Sequence, residues 1–193
     1  MLTRSGIIGG ASKPAFTAYD PSFSNSAGIV ALSEGNLVAT SLGGSYGFVR
    51  STVANSTGKF FRSITLNVLT DNDQIGIVNA AVAASSGSIY LGADTNGIGY
   101  IPKIGAVYYN GSAVATIQTA TAGQIVDEAV DLGAGLIWWR VNGGYWNNSS
   151  TANPATGTGG IALGVSGPFY AGLEFPFAAG EKNTTNFGAT GYT

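Results

Sequence analysis

The sequence predicts an all-β chain, an antiparallel two-sheet β-sandwich, on three observations. Short runs of Val, Ile, Leu, Tyr, Phe and Trp are broken by Gly, Asn, Ser or Pro roughly every eight to twelve residues, the rhythm of strands in a sandwich. No stretch sustains apolar residues at helical spacing. Asn110-Gly111 and Asn142-Gly143 supply the positive φ angles that tight hairpins demand, and Asn96-Gly97 is a third such pair. With 193 residues the chain fits one domain and one core.

In chain order, residues 1–18 read as an arm ahead of a domain at 19–193, with Ile7 and Ile8 as its apolar anchor for docking onto a larger particle. Strands are expected near 28–32, 36–41, 46–51, 59–69, 74–79, 88–92, 98–101, 105–109, 113–118, 124–132, 136–142, 161–165, 168–174 and 182–187, where β-branched and aromatic residues concentrate. The segment 147–160, NNSSTANPATGTGG, has no apolar periodicity and reads as a long surface loop.

The hairpin 124–142 can be worked through in detail. A turn at Ala134 and Gly135 would set Leu132 against Ile137, Val130 against Trp139 and Glu128 against Val141 on the core face. Asp127, Ala129, Asp131, Trp138, Arg140 and Asn142 would then look outward, with Arg140 diagonal to two aspartates. Glu128 is the anomaly, since a buried carboxylate costs several kcal/mol unless it is paired. It requires a partner, a register slip, a sheet end reaching solvent, or an assembly contact.

Composition narrows function. Charged residues are 9% of the chain, far below the roughly 25% of ordinary domains, and the net charge is −2. Eight scattered Lys and Arg form no basic stripe for nucleic acid or an anionic membrane. Sparse charge gives weak protection against self-association, which suggests a homo-oligomer, a larger assembly or an extracellular setting. The N-terminal residues lack the continuous apolar region of a Sec signal, and no stretch approaches the ~18 apolar residues of a membrane-spanning helix.

The runs GKFFRSITLNVLTDNDQIGIV (58–78), YLGADTNGIGY (90–100), YYNGSAVAT (108–116), AVDLGAGLIWWRVNGGYWN (129–147) and TTNFGA (184–189) resemble SPRY domains in order and spacing, in their bacterial and bacteriophage form. AYDPSFSNSAGIVALSEGNLVAT (18–40) and VRST (49–52) are similar to that family's opening strands, so the resemblance covers about 19–191. It implies a concanavalin-like jelly-roll sandwich that binds proteins, or occasionally glycans, through loops at one end, without catalysis. Tyr19 stands where the family has tryptophan, Gln124 where it has Gly-Asp, and Asp127-Glu128 where it has Gly and an apolar residue. No ligand site is therefore carried over.

The residue inventory agrees with a binding role. Without His or Cys, the usual triads, Cys-His pairs and zinc sites cannot be assembled, and no cofactor is expected. Asp127 and Glu128 are adjacent in a strand and point to opposite faces, which does not make a glycosidase pair. Asp71-Asn72-Asp73 lacks the closing glutamate of a calcium loop, and it and Asp94 read as turn-formers. Aromatic residues are the stronger candidates: Tyr108, Tyr109, Trp138, Tyr145 and Trp146, with Arg140 and Asn142, form the expected recognition set. The sequence therefore reads as a structural or recognition module, such as a capsid-decoration, fibre or tail component of a bacteriophage virion or a cell-surface protein, contacting other subunits or the host. Alternatives are a lectin of the same fold and an interaction module of the bacterial cytoplasm.

Overall fold

The computed structural model describes residues 17–23, 28–82 and 90–188. Ile7 and Ile8, and with them most of the expected arm, lie outside the described residues. The segment just before Tyr19 already touches the sandwich, because Thr52 N donates to Ala18 O at 2.9 Å and the Thr17 and Thr52 hydroxyls lie 3.2 Å apart.

The described strands are β1 (Val30–Ser33), β2 (Val38–Ser41), β3 (Gly47–Arg50), β4 (Lys59–Val68), β5 (Gln74–Asn79), β6 (Gly97–Ile101), β7 (Ala106–Tyr109), β8 (Ser112–Thr116), β9 (Ile125–Asp131), β10 (Leu136–Val141), β11 (Ile161–Ala162), β12 (Phe169–Phe175) and β13 (Lys182–Asn186). They form two antiparallel sheets, ordered β1-β2-β13-β4-β9-β10-β11 and β3-β12-β5-β6-β7-β8. Alternation assigns the faces. Ile64 and Leu66 of β4, Val126 and Val130 of β9, and Ile137 and Trp139 of β10 point inward against Ile75, Ile77, Ile98, Tyr100, Ala171 and Leu173 of the other sheet.

The expected strand at 88–92 is not one where it is described: residues 90–92 lie outside any strand, with a turn at 91–92. The cause is local packing. Gly172, Gly76 and Gly99 stand side by side across β12, β5 and β6, leaving a trough on the sheet's outer face. Leu91 fills it, so close that a Cβ on Gly99 would sit 2.4 Å from its side chain.

Asn110-Gly111 makes the expected two-residue hairpin, with φ of 49° and 73°. Asn142-Gly143 also has positive φ, 49° and 70°, but it leads into a loop rather than a strand. Asn96-Gly97 is no tight hairpin, since Gly97 opens β6 and Asn96 is held by Asp94, whose carboxylate accepts from both its amide and its side chain at 2.8 Å.

The β9–β10 register differs from expectation by two residues. Val130 faces Ile137, Glu128 faces Trp139 and Asp127 faces Arg140. The turn spans four residues, 132–135, pinned where Ala134 N donates to Asp131 Oδ1 (2.9 Å) and where Gly135 takes φ of 66°. An even slip preserves the faces, so Glu128 does point into the core.

Its partner is Arg62, at the inward position of β4 where an apolar residue would be expected. Arg62 Nε donates to Glu128 Oε1 (2.8 Å) and Nη2 to Oε2 (3.0 Å), with the two side chains 1% and 2% exposed. Arg62 also reaches the opposite sheet, where Nη2 donates to Gly76 O and Gly172 O, each at 2.9 Å. Trp139 Nε1 donates to Glu128 Oε2 (3.0 Å), and Arg62 Nη1 to the Tyr19 hydroxyl (3.3 Å). Burial pushes the Tyr19 hydroxyl up to about 12, so it keeps its proton, and it shares a hydrogen bond of 2.6 Å with the Thr185 hydroxyl. Glu128 is therefore not an assembly contact, since its carboxylate is sealed inside.

Glu128→Ala, which strands Arg62, is expected to cost about 3–5 kcal/mol. The double variant Arg62→Met/Glu128→Leu should cost clearly less than the two single losses added together, by equilibrium urea unfolding. Additive losses would show that the two groups do not act as a unit.

Candidate functional site

Of the residues expected to form one recognition set, the structure brings Arg140, Tyr145 and Trp146 together and sets Tyr108 on a different surface. Trp138 is corrected outright. It points away from the main core, as alternation requires, yet it is fully buried because residues 146–160 fold over β10. Trp138 Nε1 donates to Thr158 O (2.8 Å), and a Cβ on Gly160 would stand 2.6 Å from its ring. The covering segment is held by Asn147, whose backbone takes φ of 47°. Its side chain then mimics a strand edge: Trp139 N donates to Oδ1 (2.9 Å), and Nδ2 donates to Ile137 O (3.3 Å) and Gly159 O (2.9 Å).

The segment expected to be a plain surface loop thus carries a satellite core of Trp138, Trp146, Ala129 and Ala152. Trp146 is only 7% exposed, with Phe61 edge-on at 6.3 Å and the Arg140 guanidinium 4.3 Å over its ring. Arg140 is in turn fixed by Asp127, Nε to Oδ2 at 2.8 Å. Asp131, expected to share Arg140, pairs with Lys59 at 3.2 Å instead. Asn142 is exposed and shapes its turn, accepting from Ile125 N at 2.9 Å. Tyr109 donates its hydroxyl to Gly164 O (2.8 Å) and packs on the main core. Only Tyr145, 66% exposed, presents a free ring, over a shallow hollow shared with Arg140, Trp146, Asn153 and Ala155.

Tyr108 belongs to a larger cleft, of about 350 Å³, on the outer side of the six-stranded sheet. Two edge-to-face aromatic pairs line it, Tyr90–Tyr108 at 5.7 Å and Tyr46–Phe177 at 4.8 Å. Phe177 and Ile104 on its wall are 54% and 47% exposed, large apolar side chains left in water. Asp71, Asn72 and Gln74 complete it with polar groups. Gln74 is 3% exposed, yet its Oε1 has no hydrogen-bond partner among the described residues, and neither does Asn72 Oδ1. Only Tyr108 was recognisable from sequence, as an aromatic beside a hairpin turn. The other residues come from separate loops and strand ends that only the fold assembles.

Behind the cleft lies an acidic group. Glu181 Oε1 accepts from Thr70 N and Asp71 N, each at 2.7 Å, and from the Thr70 hydroxyl. Asp73 accepts from Asn183 Nδ2 (2.8 Å), and burial together with the facing Glu181 carboxylate pushes it up to about 8. Glu174, register partner of Gln74, is held well above the usual carboxylate range by burial and then by Asp73 and Asp71. Burial, and then the neighbouring Glu174 and Asp71, hold the Tyr46 hydroxyl above its usual value. Among the described residues no group of three or more acidic side chains converges to hold a metal ion.

Asn147→Ala removes the clamp on β10; a loss of about 2 kcal/mol and a red shift of tryptophan emission are expected as Trp138 loses its cover. The raised Asp73 sets a pH dependence. The folded protein holds a proton that the unfolded chain releases near pH 4, so stability falls as pH rises from about 4 to about 8. Thermal unfolding across that window should show the decline, and Asp73→Asn should flatten it.

No family model and no curated protein matches the sequence, whereas solved structures match the fold. The SPRY domain of human HERC1 superposes with a TM-score of 0.71 at 16% identity, covering 90% of this chain and 99% of that one. The PSpry domain of TRIM65 gives 0.63 at 11% identity, covering 89% and 92%. Stonustoxin gives 0.62 at 12% identity, covering 89% of this chain but 27% of its own. The fold of this chain is the SPRY fold.

Proposed function

We propose that this chain is a non-enzymatic protein-recognition module whose binding surface is the cleft around Tyr108. The carrying observation is the combination in that cleft of solvated aromatic and apolar side chains with buried, unpartnered acceptors on Asn72 and Gln74. The solvated rings and apolar side chains are unfavourable in the free protein, and a partner that covers them relieves that cost. The SPRY fold of its structural neighbours supports a binding role. The carboxylates weighed for hydrolysis point the same way, since Asp127 and Glu128 are each tied to their own arginine.

A glycan-binding role retains only Tyr145, because Trp138 is buried and the face of Trp146 is taken by Arg140. The sparse charge of the chain supports a place within a virion or surface assembly, and mass spectrometry of purified virions tests that setting separately. For the surface itself, benzoylphenylalanine at position 108 or 177 is expected to photo-crosslink one protein partner in the native assembly, while the same probe at exposed Glu34 should not. Crosslinks from position 145 with none from 108 or 177 would move the site to the hollow beside Arg140.

A further inference from the structure

We infer that the Tyr108 cleft is built to receive an arginine side chain of the partner protein. The inference rests on the proposed recognition role and names the chemistry of its ligand.

The cleft's own groups specify that chemistry. Its walls carry the aromatic rings of Tyr46, Tyr90, Tyr108 and Phe177, and a ring face attracts a cation through its quadrupole. Its polar side carries the Asp71 carboxylate, and none of its described lining residues is basic. Asn72 Oδ1 and Gln74 Oε1, buried and unpartnered, belong to the same wall. Lys103 donates to the Thr70 carbonyl and is not part of the lining.

The occupant must therefore carry positive charge and several N–H donors on a stem that tolerates apolar walls. A quaternary ammonium has the charge but no donor. An ammonium is a compact, strongly hydrated point charge. A guanidinium has five donors in a plane and stacks on aromatic rings. The same sheet face shows the chain holding its own guanidinium this way, with Arg50 4.0 Å from the Phe23 ring centroid and 4.2 Å from that of Tyr170. The volume of about 350 Å³ lies within the range of ligand sites and admits a guanidinium with its stem.

The test is selection of a random peptide library displayed on phage against the purified full chain, counter-selected with Tyr108→Ala. Cleft-dependent peptides are expected to share an arginine at one position. Replacing that arginine with citrulline, which keeps the shape and removes the charge, should weaken binding to the unaltered protein at least about tenfold, as should Asp71→Asn on the protein side. Cleft-dependent peptides without arginine, or an equal response to citrulline, would overturn the arginine assignment while leaving the recognition role standing. A selection that yields no peptide sensitive to Tyr108→Ala would overturn both.

Discussion

The arrangement depends most on the ion pair buried between the sheets. Arg62 leaves β4 where Ile or Val would serve, crosses the core, and donates to Glu128 on its own sheet and to Gly76 and Gly172 on the other. Taking two charges out of water costs several kcal/mol each, and a well-packed apolar pair is often as stable. Stability alone is thus a poor reason for it. What the guanidinium adds is direction: its donors are planar and fixed, so they are satisfied in one relative placement of the two sheets and not when a strand slips by a residue. We therefore read the pair as a device that fixes how the sheets face each other. Tyr19 and Thr185 extend that device to the first described bridge and to β13.

With the sheets fixed, the outer faces are covered differently. The seven-stranded sheet is roofed over β10 by a segment with little apolar content of its own, which stays in place because Asn147 supplies strand-like hydrogen bonds and Trp138 and Trp146 supply the contact area. On the six-stranded sheet Leu91 sits in the glycine trough, and beside it the surface stays open as the cleft. The sparse charge also reads differently. Asp73, Asp127, Glu128, Glu174, Glu181 and Arg62 are all buried, so the described charges left outside are five acidic and five basic, Asp20, Glu34, Asp71, Asp94 and Asp131 against Arg50, Lys59, Lys103, Arg140 and Lys182. Against that balanced exterior, an acidic neighbourhood behind one cleft is a local feature rather than a consequence of net charge.

Period-two alternation and Asn-Gly turns were enough to read the sandwich, because both act within a few residues. The same locality set the limit. The β9–β10 register was read two residues out because a Gly-rich stretch admits a two- or a four-residue turn, and the Asp131 side chain that chooses between them is not visible in a pattern of apolar spacing. Trp138 was assigned to the correct face and the wrong environment, since its cover comes from a segment that looks like unstructured polar chain. Glu128 needs a partner by sequence alone, but that partner lies 66 positions away; alternation puts Arg62 on the face of Ile64 and Leu66, and only the pairing of β4 with β9 joins the two. Of the cleft, Tyr108 could be found from sequence; Tyr46, Gln74 and Phe177 could not, because they meet only after three loops converge.

The two acid-rich regions of the molecule are instructive side by side. In the core, Glu128 meets a guanidinium within the chain, which also takes two carbonyls and a tyrosine oxygen, and a tryptophan supplies a further donor. At the cleft, carboxylates and amide oxygens are again gathered beside aromatic rings, but no described residue of its lining is a cation. With an arginine, the core pair locks the sheets; Asp73 and Glu174, which have none, are driven by burial toward their protonated forms. The fold meets its core carboxylate with a matched donor and leaves the aromatic-walled cleft uncovered, which is the contrast on which the proposed recognition role rests.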